Sequence, residues 1–252
     1  MSKKQTLALL LPGYSPDLAW INRALNADDV ILDDLHPFSR KSRVHRTKIR
    51  TPEGHQWLTI PFVGEDRRRP IRNVRIDDRR PWLKHHLRAL EYNYRNSIYF
   101  DFYEPEIRAD LETAAEFELL VDAVRHLMKR QWTYLQLRNF PKWMSDSEND
   151  DFGQYEEMKK PVAASEQPGY EKIDDRIRQL TGSPQTGPVA IYQEPDSRNY
   201  QKPHPSAIDP PFSLPAYRQH FPGFEPGCGV LDLLFEYGPD SWQILDKLNP
   251  EK

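Results

Sequence analysis

Two short apolar runs with one amphipathic segment between them constrain this chain more than any other feature. Thr6 to Leu11 reads TLALLL and stops at Pro12. Such a run predicts a buried first strand. A GYSP turn follows, and then DLAWINRALNA, in which Leu18, Ile21 and Leu25 recur at helical spacing. Asp17, just after Pro16, is placed to cap that helix. The second apolar run, DVILDD, ends on two carboxylates, Asp33 and Asp34. A β-α-β unit of this kind implies parallel strands, and open α/β sheets carry their sites outside the carboxyl ends of such strands. PGYSP and the two aspartates both fall at that edge.

The spacing then predicts a hairpin over residues 43–63. RVHRTKIR and HQWLTIPF flank TPEG, with Pro and Gly where a type I turn favours them. IRNVRI (71–76) reads as a further short strand. A helix begins near Pro81, and Trp82, His86, Leu90 and Tyr94 recur every four residues on one face. Another amphipathic helix is expected over 106–131, with Ile107, Leu111, Phe117, Leu120, Val124 and Leu127 as its stripe. From 139 to 187 the chain turns polar, acidic and rich in breakers, and reads as a flexible insertion within one domain of 252 residues. A short helix around KIDDRIRQL and a strand at 188–193 interrupt the irregular tract. GVLDLLFEYGP predicts a buried helix stopped by Gly238-Pro239. The fold class is therefore α/β: a single domain with an N-terminal β-α-β unit, a β-hairpin, helices and a Pro-rich irregular insertion.

Charge is unevenly spread. Residues 40–95 hold 16 Lys and Arg against 6 Asp and Glu, in a chain whose net charge is −3. The densest part is RKSRVHRTKIR, residues 40–50. Such asymmetry points to an anionic partner for one segment. The run at 7–11 is too short for a secretory core, and nothing later approaches a membrane span. A single cysteine, Cys228, excludes an internal disulfide and fits a reducing, cytoplasmic setting.

Four separated stretches resemble the WbqC-like proteins, a bacterial family associated with making surface polysaccharides. They are LLLPGYSPDLAWINRAL…DVILDD, RVHRTKIRTPEGHQWLTIPF, WLKHHLRALEYNYRNSIYF and YRQHFPGFEPGCGVLDLLFEYGP. Two positions depart from the family pattern. Leu11-Pro12-Gly13-Tyr14 stands where the family has Gln-Pro-Tyr, and His45 stands where it has Asn. The resemblance implies a transferase acting on an anionic, nucleotide-linked amino sugar, with acyl or aminoacyl transfer as its specific version. The opening strand, turn, helix and strand are also similar to the start of the nucleotidylyltransferase-type fold, whose His-x-Gly-His signature is absent.

Several residues are candidates for the chemistry. Arg43, Arg46 and Lys48 would hold phosphate or carboxylate groups, since guanidinium forks match either. On a strand, Arg46, Lys48 and Arg50 share one face, and His45, Thr47 and Ile49 the other. The bland alternative is a solvated hairpin face. His86 shares the buried face of its helix and would serve as acid or base, oriented by Asp33 or Asp34; the alternative is a hydrogen-bonded core histidine. Asp232 lies among Val230, Leu231, Leu233 and Leu234 and needs a partner there, for which Arg43 and Arg46 are candidates. Tyr14, His45 and Asn93 complete the substrate-binding set. No spacing makes a metal motif, and no cofactor is named by the sequence. A second class of function stays open: a non-catalytic protein whose basic segment contacts nucleic acid or a polysaccharide-assembly partner. Interleaved strand and helix signals, with no nucleic-acid motif, weigh against nucleic acid.

Overall fold

A computed structural model describes residues 6–146, 190–193, 207–208 and 214–248. Its sheet is wholly parallel and centres on the first apolar run. Strand β1 (Thr6–Leu10) lies between β2 (Asp29–Leu32) and a strand at Ala190–Gln193. The register aligns Leu10 with Leu32 on one side and Leu9 with Gln193 on the other. Helix α1 (Leu18–Leu25) makes the crossover, capped as expected by Asp17, whose carboxylate accepts the Trp20 N–H at 2.9 Å.

Next in chain order come the hairpin strands β3 (Arg46–Thr51) and β4 (Gly54–Thr59), then helices α2 (Trp82–Tyr94), α3 (Phe100–Ala115) and α4 (Leu120–Tyr134). β5 (Lys142–Trp143) pairs with β2, so the start of the expected insertion supplies an edge strand. The strand at Ala190–Gln193 is β6, and β7 (Ala207–Ile208) pairs with it. The sheet order is β5-β2-β1-β6-β7. Taken in chain order this is third, second, first, fourth, fifth, the order of doubly wound sheets. Its direction of winding reverses between β1 and β6. Residues 147–187 of the insertion, including the KIDDRIRQL helix, lie outside the described residues. Among the described residues no helix is long and apolar enough to cross a membrane.

Two expected elements differ. Residues 71–76 are not a strand: Ile71–Asn73 form a 3-10 turn. The amide of Arg75 is taken by the buried Asp66 carboxylate at 3.0 Å, which the Arg75 guanidinium also grips at 2.8 Å. The single helix expected over 106–131 is two helices, broken between Ala115 and Leu120. There the chain pairs with the same 74–76 segment: Ile76 N–H donates to Glu118 O and Leu120 N–H to Val74 O, each at 2.8 Å. One tertiary bridge thus accounts for both departures.

Helix α5 (Val230–Tyr237) is buried almost all round, as VLDLLFEY predicts. It stops at Gly238, where φ is +51°, and a Cβ there would lie 2.5 Å from the Tyr99 ring. A last helix, α6 (Trp242–Leu245), closes the described chain. One hydrophobic cluster runs through α1 to α6 and the inner face of the hairpin.

Candidate functional site

Three segments meet beyond the carboxyl end of β1: the PGYSP loop, the hairpin, and the stretch leading into α5. The loop is tied from several sides. Leu11 O accepts from Trp20 Nε1 at 2.9 Å, and Tyr14 O accepts from Gln131 Nε2 at 3.1 Å. Gly229 N–H donates to Lys48 O at 2.9 Å and Val230 N–H to Pro16 O at 2.8 Å. Gly229 therefore lies flat between loop and hairpin. A Cβ there would stand 2.3 Å from Thr47 Oγ1 and 2.7 Å from Ser15 Oγ, which only glycine avoids.

The basic face of the hairpin borders this junction. Lys48 pairs across the strands with Trp57, so the indole lies among the cations. The guanidinium of Arg46 is 4.3 Å from the Trp57 ring, that of Arg43 5.4 Å, and Lys48 Nζ 5.8 Å. These are cation–π distances. Two of the three cations have carboxylates: Arg43 pairs with Asp17 at 3.2 Å and Lys48 with Glu225 at 3.5 Å. Arg46 has none among the described residues. Burial holds its proton affinity below the ordinary arginine value, and the neighbouring Arg43 and Arg40 add to that. Arg50 shares the face by register but is covered. Its guanidinium donates to Gly54 O at 2.8 Å and Pro222 O at 2.6 Å, a clamp on the following loop.

Tyr14 and His86 come together in the core. His86 Nε2 lies 3.2 Å from Thr59 O, an acceptor, so that nitrogen carries the proton. Nδ1 then accepts from Tyr14 O–H at 2.9 Å. Burial drives the imidazole pKa down to about 3. His86 is thus a neutral bridge between the PGYSP loop and β4. Neither aspartate joins it. Asp34 is buried and binds Ser145 through N–H at 3.1 Å and Oγ at 2.6 Å, so it holds the segment after β5. Asp33 faces His36 at 3.7 Å. His45 is enclosed edge-on by the rings of Phe38 and Phe62, and burial lowers its pKa to about 4. Asn93, on α2, lies on the far side of the hairpin and donates to Ala89 O of its own helix at 2.8 Å.

Asp232 is fully buried, but its expected arginine partners are replaced. Oδ1 accepts from Tyr94 O–H at 2.7 Å, and Oδ2 accepts from Tyr217 O–H at 2.7 Å and Gln219 Nε2 at 2.9 Å. Burial raises its pKa while the three donors pull it down. Three neutral donors satisfy a carboxylate without bringing a second charge into the core. The same surroundings push the Cys228 thiol up to about 12, which makes it a poor nucleophile.

Trp57, Glu225, Tyr217 and Gln219 were not singled out from the sequence. Trp57 was within reach, because counting back across the TPEG turn sets it opposite Lys48. The others sit on a segment without periodicity, so nothing local marks them. Among the described residues no three of His, Cys, Asp and Glu gather as a metal site.

A family model described as the WbqC-like protein family matches residues 12–244. The chain is also similar to an uncharacterized protein of Mycobacterium tuberculosis (strain ATCC 25618 / H37Rv), Rv1507c. The two are 26% identical over 253 residues, spanning 93% of this chain and 95% of the relative. No solved structure matches.

Proposed function

The chain belongs to the WbqC-like protein family, and from that premise we propose that it is a transferase acting on an anionic, nucleotide-linked amino sugar in bacterial surface polysaccharide synthesis. The observation that carries this reading is Arg46. It is a partly buried guanidinium stacked on Trp57, flanked by Arg43, and without a carboxylate among the described residues. Cations crowded in this way gain from an incoming dianion, because each relieves repulsion as well as forming its own charge-assisted bonds. Arg43, Arg46 and Lys48 hold the phosphates in this proposal. Their positive field offsets the charge of the bound diphosphate, which holds the sugar amine in place for acyl or aminoacyl transfer. The doubly wound strand order supports a ligand beyond β1, where the PGYSP loop borders the basic face, and strengthens the analogy with nucleotidylyltransferases.

His86 enters the proposal as a positioning residue. With both nitrogens engaged in the core, it acts through Tyr14 on the loop. Acid–base work oriented by Asp33 or Asp34 has no support in the bonds those residues make.

The test is thermal-shift screening against nucleotide-sugars, free nucleotides and short RNA. Stabilisation by a nucleotide-sugar that Arg46→Ala removes supports the transferase. Stabilisation by RNA alone, abolished at moderate salt, overturns it in favour of a nucleic-acid-binding protein.

A further inference from the structure

The outer face of α2 carries a second, separate arrangement. His85, Arg88, Tyr92 and Arg95 follow one another at intervals of three, four and three residues, so they form one stripe along the helix. Together with Gln56 of β4, Ala89, Glu91 and Asn93 they line an open groove, in which three basic side chains stand against one carboxylate. Gln56 pairs with Ile49, which points to the opposite face of the hairpin from Lys48 and Arg50. The groove and the Arg46–Trp57 cluster therefore lie on opposite sides of the same hairpin.

Three features of the groove have no structural use within the fold. Tyr92 leaves 74% of its surface in solvent, an aromatic ring with no packing role. His85, Arg88 and Arg95 have no carboxylate partner among the described residues. Asn93 is buried, and its amide nitrogen donates to Ala89 O at 2.8 Å while its carbonyl oxygen has no partner. A buried acceptor left open calls for a donor. A bare phosphate offers no flat face to stack, and a simple apolar ligand has no use for two free guanidinium groups. A ligand that fits all three has a flat face to stack, an edge carrying N–H donors, and an anionic group.

We propose that the groove between α2 and β4 binds an unpaired nucleotide. The base stacks on Tyr92, its edge meets the amides of Gln56 and Asn93, and Arg88 and Arg95 take the phosphate. A free mononucleotide and one unit of a single strand present this same chemistry. The site goes beyond the transferase reading and does not depend on it.

Fluorescence anisotropy with labelled oligo(U) octamer, and ligand-observed NMR with AMP and UMP, test the proposal on the full chain. Tyr92 and Arg88 are exposed, so Tyr92→Ala and Arg88→Ala leave the fold intact, which circular dichroism checks. Each, made in an Arg46→Ala background so that the cation cluster contributes nothing, is expected to weaken the remaining binding about tenfold, the scale of one stacked base. Tighter binding of the octamer assigns the groove to a single strand; equal affinity per nucleotide assigns it to the free nucleotide. The proposal is overturned if neither probe binds, or if binding survives both α2 variants. It is equally overturned if oligogalacturonate, an anion without bases, competes as well as the nucleotides.

Discussion

Tyr94 and Asp232, separated by 138 residues, share a 2.7 Å hydrogen bond in the core. The same phenol oxygen accepts the Arg50 backbone N–H at 2.8 Å. One phenol oxygen thus links α2, β3 and α5 through two hydrogen bonds, and these three elements frame the junction beyond β1. Asp232→Leu would leave the Tyr94, Tyr217 and Gln219 donors buried without an acceptor. A loss of about 3 kcal/mol is expected in urea denaturation. An unchanged midpoint would show that these donors find other partners.

Gly229→Ala is expected to destabilise the chain by about 2 kcal/mol, the scale of forced overpacking. The added methyl meets Thr47 Oγ1 and Ser15, which are themselves tied by a 2.9 Å hydrogen bond from Thr47 Oγ1 to Ser15 O, so neither moves aside without breaking it. Gly64, with open space around its Cβ position, is the control, and Gly64→Ala should leave the thermal midpoint nearly unmoved.

Acid should weaken the fold through two buried histidines. His86 and His45 have folded pKa values of about 3 and about 4, below the ordinary 6.5. Both depressions arise from burial, so the unfolded chain takes up protons first as pH falls. The stability in question is fully present above pH 6.5 and is lost progressively from there, down to about pH 4 for His45 and about pH 3 for His86. The expected slope from the pair is roughly 2 kcal/mol per pH unit near pH 5. His45→Asn should about halve it, as read from urea midpoints across pH 4.5–7.5.

Glu225 is the carboxylate paired with Lys48 of the cation cluster, 3.5 Å from Lys48 Nζ and 2.8 Å from His55 Nδ1. Glu225→Gln should tighten binding of inorganic pyrophosphate about threefold, because Lys48 is released from a partly exposed ion pair. Calorimetry at low salt measures it. Weaker binding in the variant would mean that Glu225 instead holds the site in shape.

The local chemistry of the chain determined much of this. The apolar runs gave β1 and β2, Asp17 gave the cap of α1, and TPEG gave a hairpin whose alternation set Arg46, Lys48 and Arg50 on one face. The four-residue recurrence from Trp82 to Tyr94 placed His86 inward. Each of these depends on neighbours in sequence, where propensity and periodicity act.

Tertiary structure decided the partners. That Asp232 is answered by two tyrosines and a glutamine rather than an arginine follows from which segments cross above α5. Asp34 holds Ser145, and His86 binds Tyr14 and Thr59, because strand order and loop path bring those groups together. The break between α3 and α4 and the loss of a strand at 71–76 have one cause, the pairing of residues 74–76 with 118–120. A carboxylate or imidazole taken out of water must find a partner, which the sequence determines for Asp232 and His86. Which partner it finds is a long-range property, set only when distant segments pack.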